Sequence, residues 1–89
     1  MTERTYRLRD GELEWREVEG EIVALDLRAS TYLSINKAGT ALWPHLTSGA
    51  SREELVTALT SRYGIDAESA ARDVEAFVRA LEEKGLLAS

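Results

Sequence analysis

The chain has 89 residues, with eleven Lys and Arg against sixteen Asp and Glu, a formal net charge of −5 and no cysteine. That length suits one compact domain, which buries roughly two thirds of its unfolded surface and spares little apolar material for an enclosed active-site cavity. The charge opposes nucleic-acid binding, which draws on basic side chains to neutralise phosphates, and the missing thiols exclude disulfides and thiolate metal sites.

The opening residues, MTERTYRLRDGE, lack the apolar core of a signal peptide, and no later run approaches a membrane span, so a soluble, cytoplasmic protein is expected. Asp10-Gly11 is placed to turn a small hairpin from Tyr6 and Leu8 into the strand that follows. In that strand Leu13 and Trp15 alternate with Glu12, Glu14 and Arg16, the period of a half-buried strand. Glu19-Gly20 marks a turn, and residues 21–28, EIVALDLR, carry Val23, Leu25 and Leu27 on one face of a second strand. A reversal at residues 28–30 leads to a third strand over residues 31–36, TYLSIN. Such short connections predict an antiparallel meander with the first and third strands at its edges.

The two edges differ in charge. The first is studded with Glu and Arg, which discourage strand pairing, whereas TYLSIN has no formal charge in a chain that is 30% charged. A bare edge is either covered by another element or left open to a guest strand.

Helices follow. Asn36 is a good N-cap for a helix with Ala38, Leu42, Trp43 and Leu46 inward, and Pro44 is expected to kink or shorten it. Ser51 and Glu54 form a capping box for a second helix, which buries Leu55, Val56 and Leu59 and stops near Tyr63-Gly64. Asp66 caps the third, with Ile65 and Ala70 spaced as a hydrophobic staple and Gly85 placed for a Schellman ending in which Leu86 returns to Leu81. Ala67, Ala70, Ala71, Val74, Phe77, Val78 and Leu81 make its apolar stripe. One flank, with Glu68, Arg72, Glu75, Arg79 and Glu82, holds the i,i+4 pairs Glu68–Arg72 and Glu75–Arg79 and is a solvated face. The other holds Ser69, Asp73, Ala76 and Ala80 beside Phe77. Small residues beside one aromatic let another backbone approach, so this flank is expected to face the uncharged strand as the second wall of a groove. The fold class is α+β: three antiparallel strands, then three helices on one face of the sheet.

Leu25-Asp26-Leu27, Tyr32, Ile35-Asn36, Gly39, Leu42-Trp43 and Leu46 stand in an order and spacing that resemble the PqqD-like leader-binding domains, also called RiPP recognition elements. Gly49, Leu55, Leu59, Tyr63, Asp73-Val74, Phe77-Val78, Leu81 and Gly85-Leu86-Leu87 continue the pattern, so the resemblance spans about residues 12–87 of a single domain over residues 1–89. It implies a winged-helix-like fold that binds the leader of a ribosomally made precursor peptide as an added strand beside the third helix. Compact stand-alone members resemble the leader-binding half of split lasso-peptide B proteins. That resemblance implies a separate leader peptidase and a cyclase resembling asparagine synthetase as partners, with no nucleic acid, membrane or cofactor. The alternatives are a peptide chaperone of pyrroloquinoline quinone or another radical-SAM peptide pathway, or a winged-helix adaptor.

The candidate peptide-binding residues are Thr31, Tyr32, Leu33, Ser34 and Ile35 on the strand, and Ser69, Asp73, Ala76, Phe77 and Ala80 on the helix. Asp73 is the flank's single formal charge, suited to a basic or polar leader residue. Without the resemblance, an edge strand shielded by a loop or a dimer mate is an equal reading, and Phe77 is an ordinary core aromatic. Trp15 and Trp43 read as packing residues. His45, the one histidine, has no Cys or spaced carboxylates around it, so neither a metal site nor a catalytic triad is expected. No glycine arrangement resembles a phosphate loop.

Overall fold

Three paired strands and then three helices dominate the computed structural model, which describes residues 4–88. In chain order the elements are β1 (Thr5–Tyr6), β2 (Leu13–Val18), β3 (Glu21–Asp26), β4 (Thr31–Ile35), α1 (Lys37–Ser48), β5 (Ala50–Ser51), α2 (Arg52–Tyr63) and α3 (Ala67–Glu83). The sheet order β2-β3-β4 is the expected antiparallel meander. Glu19 and Gly20, with φ of 52° and 82°, close the first hairpin by the left-handed geometry that matches strand twist.

The parity of β3 settles which side is the core. Ile22 and Ala24 are buried with Ile35 of β4, while Leu25 and Leu27 lie exposed on the opposite side. The apolar row Val23, Leu25 and Leu27 therefore faces away from the helices. The inward row instead holds Asp26, a carboxylate among apolar neighbours. Strand periodicity shows that two faces differ but does not say which one a helix will cover.

Asp26 is buried because Arg9 reaches it. One Arg9 nitrogen donates to Asp26 Oδ1 at 2.7 Å, and the same oxygen accepts from the backbone N–H groups of Arg28 and Ala29. Arg9 also donates to the carbonyls of Gly11, Glu12 and Gly85, so one side chain ties the N-terminal segment, the meander and the end of α3 together. Those contacts, the Arg9 hydrogen bond first, hold the Asp26 carboxyl below the ordinary carboxylate range despite the opposing effect of burial. A carboxyl whose folded pKa is depressed stabilises the fold fully above its unfolded value, about pH 4, and loses that contribution as pH falls further. Asp26→Asn is therefore expected to flatten the acid limb of a Tm-versus-pH curve measured from pH 6 down to pH 2.5. An unchanged acid limb would mean that the pair is neutral. Glu54 and Asp66, also depressed by their capping hydrogen bonds, retain their share in that variant.

The expected Tyr6–Leu8 hairpin does not form. β1 pairs with β5, Leu8 bridges to Leu87, and Leu8, Arg9 and Ala88 donate to the carbonyls of Leu46, Leu86 and Arg7. Distant backbone partners win because Gly49, with φ of 99°, exposes Ala50–Ser51 as a short edge, and because Leu8 gains a buried place in the core. Asp10-Gly11 is still a bend, where Gly11 and Glu12 both adopt positive φ and redirect the chain into β2.

The helix signals hold. Asn36, Ser51 and Asp66 accept from the N–H groups of Gly39, Glu54 and Ser69, and Glu54 returns the bond to Ser51. At the end of α3, Leu86 donates to Leu81 and Gly85 to Glu82, the paired bonds of a Schellman motif. Pro44 does not shorten α1, which continues past it to Ser48. Buried Leu42, Trp43 and Leu46 flank the proline, so packing offsets one lost backbone bond. On the solvated face of α3, Glu75 turns to Arg52 of α2 at 2.6 Å rather than to Arg79. Trp15 packs edge-on to buried Trp43, ring centres 6.0 Å apart, as packing residues do. Among the described residues, no helix is long and apolar enough to cross a membrane.

Candidate functional site

Within the sheet β4 pairs only with β3, and no other described backbone takes up its far edge. Its strand neighbours on the other side of the meander carry the charges, while Thr31, Tyr32, Leu33, Ser34 and Ile35 carry none. An edge in this condition presents backbone donors and acceptors at the spacing an extended chain requires.

Beside that edge lies α3, separated from β4 by a groove. A cavity of about 190 Å3 is bounded on one side by Leu33, Ser34, Ile35 and Asn36, and on the other by Phe77, Ala80, Leu81 and Lys84. A second, of about 410 Å3, continues along the strand against Thr31, Tyr32 and Leu33, with Asp26, Ala29 and again Lys84. The five β4 residues singled out in the sequence thus all border this groove.

Phe77 is held at its floor by a glycine. A methyl group on Gly39 would lie 2.5 Å from Ile35 Cγ2 and 2.6 Å from Phe77 Cε1, so α1, β4 and the ring meet where only hydrogen fits. Phe77 is half-buried, with Val74, Val78 and Leu81 around it fully committed to the core. The ring is both a core residue and a groove wall. Ala80 stays exposed, small enough to leave the wall open.

The helix-side candidates divide. Phe77 and Ala80 border the groove, whereas Ser69, Asp73 and Ala76 lie outside both cavities. Ser69 serves the Asp66 cap through its N–H, and Asp73 and Ala76 are exposed nearer the start of the helix. The cleft instead extends toward the C-terminus of α3, adding Leu81, Lys84 and Asn36. Lys84 lies one i+4 step beyond Ala80 on the row Ala76, Ala80, Lys84, a spacing that gives its flank of the helix but not its place at the groove. The flank read from the sequence stops at Ala80 and leaves Lys84 out.

A wider and more open depression of about 950 Å3 lies between α1 and α2, lined by His45, Ser51, Glu53, Glu54 and Arg62 among others. It adjoins no free sheet edge of the meander, and its charges are of both signs. Among the described residues, no group of three or more His, Cys, Asp or Glu is placed to hold a metal ion.

The fold has counterparts in solved structures. One is TbiB1 in complex with the TbiA(beta) leader peptide, at 31% identity and a TM-score of 0.84, covering 93% of this chain and 95% of that one. Another is a lasso peptide synthetase B1 complexed with the leader peptide, at 30% identity and a TM-score of 0.81, covering 94% and 98%. No curated protein sequence matches the chain. Residues 21–87, from the start of β3 to just past the Schellman turn, match the family described as Coenzyme PQQ synthesis protein D (PqqD). The chain belongs to the PqqD family, as a PqqD-like RiPP recognition element.

Proposed function

We propose that this domain binds the leader segment of a ribosomally made precursor peptide, in lasso-peptide biosynthesis, without catalysing a covalent step. The leader adds to the free edge of β4 as a further strand. Main-chain hydrogen bonds supply affinity, and alternate leader side chains enter the groove toward Phe77 and Ala80. The observation that carries this reading is the uncharged edge of β4, left unpaired among the described residues, beside a cleft with an aromatic floor.

Both similar solved structures are described as leader-peptide complexes, and each is matched over nearly its full length, which favours a lasso pathway over pyrroloquinoline quinone assembly. Holding the leader raises the local concentration of the attached precursor near a separate leader peptidase and, after it, a cyclase resembling asparagine synthetase.

A phage-displayed library of random 15-residue peptides, selected on the purified domain, tests the reading. Enriched peptides are expected to slow amide exchange at residues 31–35 and to leave the α1–α2 depression unaffected. Failure to enrich any peptide, or protection confined to α1 and α2, would overturn strand addition at β4.

A further inference from the structure

The groove is uncharged along β4 but not at its far end. Lys84 borders both cavities, and among the described residues its ammonium has no carboxylate within ion-pair distance. Asp26, the one carboxylate among the described residues lining either cavity, is already neutralised by Arg9 and two backbone N–H groups. Among the described residues, Lys84 is therefore the uncompensated charge of the groove.

The ordinary role for a lysine at this place is to cap the helix C-terminus. That role is filled by others. The carbonyls of Ala80, Leu81 and Glu82 each accept a backbone N–H, from Lys84, Leu86 and Gly85, and the Gly85 carbonyl accepts from Arg9. Three carbonyls of the helix end thus have partners other than the Lys84 ammonium, which borders the groove.

We propose that Lys84 is a specificity determinant of the groove, pairing with an Asp or Glu of the bound leader two or four residues from the apolar side chain seated beside Phe77. This rests on the leader-binding reading above and adds the chemistry of the recognised segment. The spacing comes from geometry. Phe77 lies beside Ile35, and Lys84 beside Thr31–Leu33, so strand and helix run along the groove in opposite directions. Lys84 is seven residue steps along the helix from Phe77, about 10 Å of rise. Same-face residues of an added strand recur at about 7 Å and 13 Å, which brackets that distance within the swing of a lysine side chain.

The peptide selection, repeated on Lys84→Glu and Lys84→Met, tests this. The wild type is expected to enrich Asp or Glu two or four positions from a large apolar residue. Lys84→Glu should enrich Lys or Arg there, and Lys84→Met should keep the apolar anchor but lose the charge preference. The best wild-type peptide should bind Lys84→Glu about fivefold to tenfold more weakly, with affinity restored when its acidic residue is exchanged for Lys. Identical enrichment from wild type and Lys84→Glu, with exchange protection still on residues 31–35, would overturn the assignment of Lys84 alone. No peptide enriched by any of the three proteins would overturn strand addition, and this proposal with it. Lys84 is exposed, and matched melting curves establish that each variant folds.

Discussion

Ala80→Glu is expected to abolish useful leader binding while leaving the domain folded. Ala80 is exposed in the free domain and opposite Leu33, Ser34 and Ile35 across the smaller cavity, so a glutamate there meets water until a peptide arrives. On binding, its carboxylate must be buried against apolar anchors or swing out and block the cleft. Either course costs about 2–3 kcal/mol, roughly a hundredfold in Kd. Fluorescence anisotropy with a selected peptide measures the loss, and circular dichroism melting checks the fold. Arg72→Ala, on the solvated flank, is the control and should bind within about twofold of wild type. Ala76→Glu should have a smaller effect than Ala80→Glu, because Ala76 lies outside both cavities. Wild-type affinity in Ala80→Glu would mean that the leader does not pass between β4 and α3.

Gly39→Ala is expected to weaken both stability and binding, although alanine is the better helix former. The added methyl would sit 2.5 Å from Ile35 and 2.6 Å and 2.9 Å from two atoms of the Phe77 ring. Ile35 is 6% exposed and the ring is rigid, so neither yields cheaply. Overpacking of this kind costs about 1–3 kcal/mol, against about 1 kcal/mol gained from helix propensity. The net loss, up to about 2 kcal/mol, corresponds to a Tm lower by as much as roughly 8–16 °C. Any shift of the ring changes the groove that it lines, so peptide affinity should fall as well. Adding Phe77→Leu should recover part of the stability without recovering affinity. A Tm raised by Gly39→Ala alone would show that helix propensity outweighs the clash at this junction.

Phe77 illustrates how the same residue looks from two distances. Spacing places it at the margin of a helical stripe, a position equally compatible with core and surface. Only the meeting of Gly39, Ile35 and the ring makes it the floor of a cleft. Asp73 illustrates the opposite case. It shares the flank with Ala80, yet lies outside the cavities, because β4 passes the C-terminal half of α3 rather than the whole of it.

What the sequence determined by itself is local. Caps at Asn36, Ser51 and Asp66, the left-handed turn at Glu19-Gly20 and the Schellman ending at Gly85 depend on residues at most five positions apart, so their chemistry is complete in a short stretch of chain. The bare edge of β4 was legible for a related reason, since the absence of charge is a property of the strand alone. Tertiary structure decided the rest. The inward parity of β3, the escape of β1 to β5, the burial of Asp26 under Arg9 and the arrival of Lys84 at the groove each require partners many residues away. Periodicity defines faces and ends, but which face meets which partner is a competition among distant surfaces, settled by the packing of the whole chain.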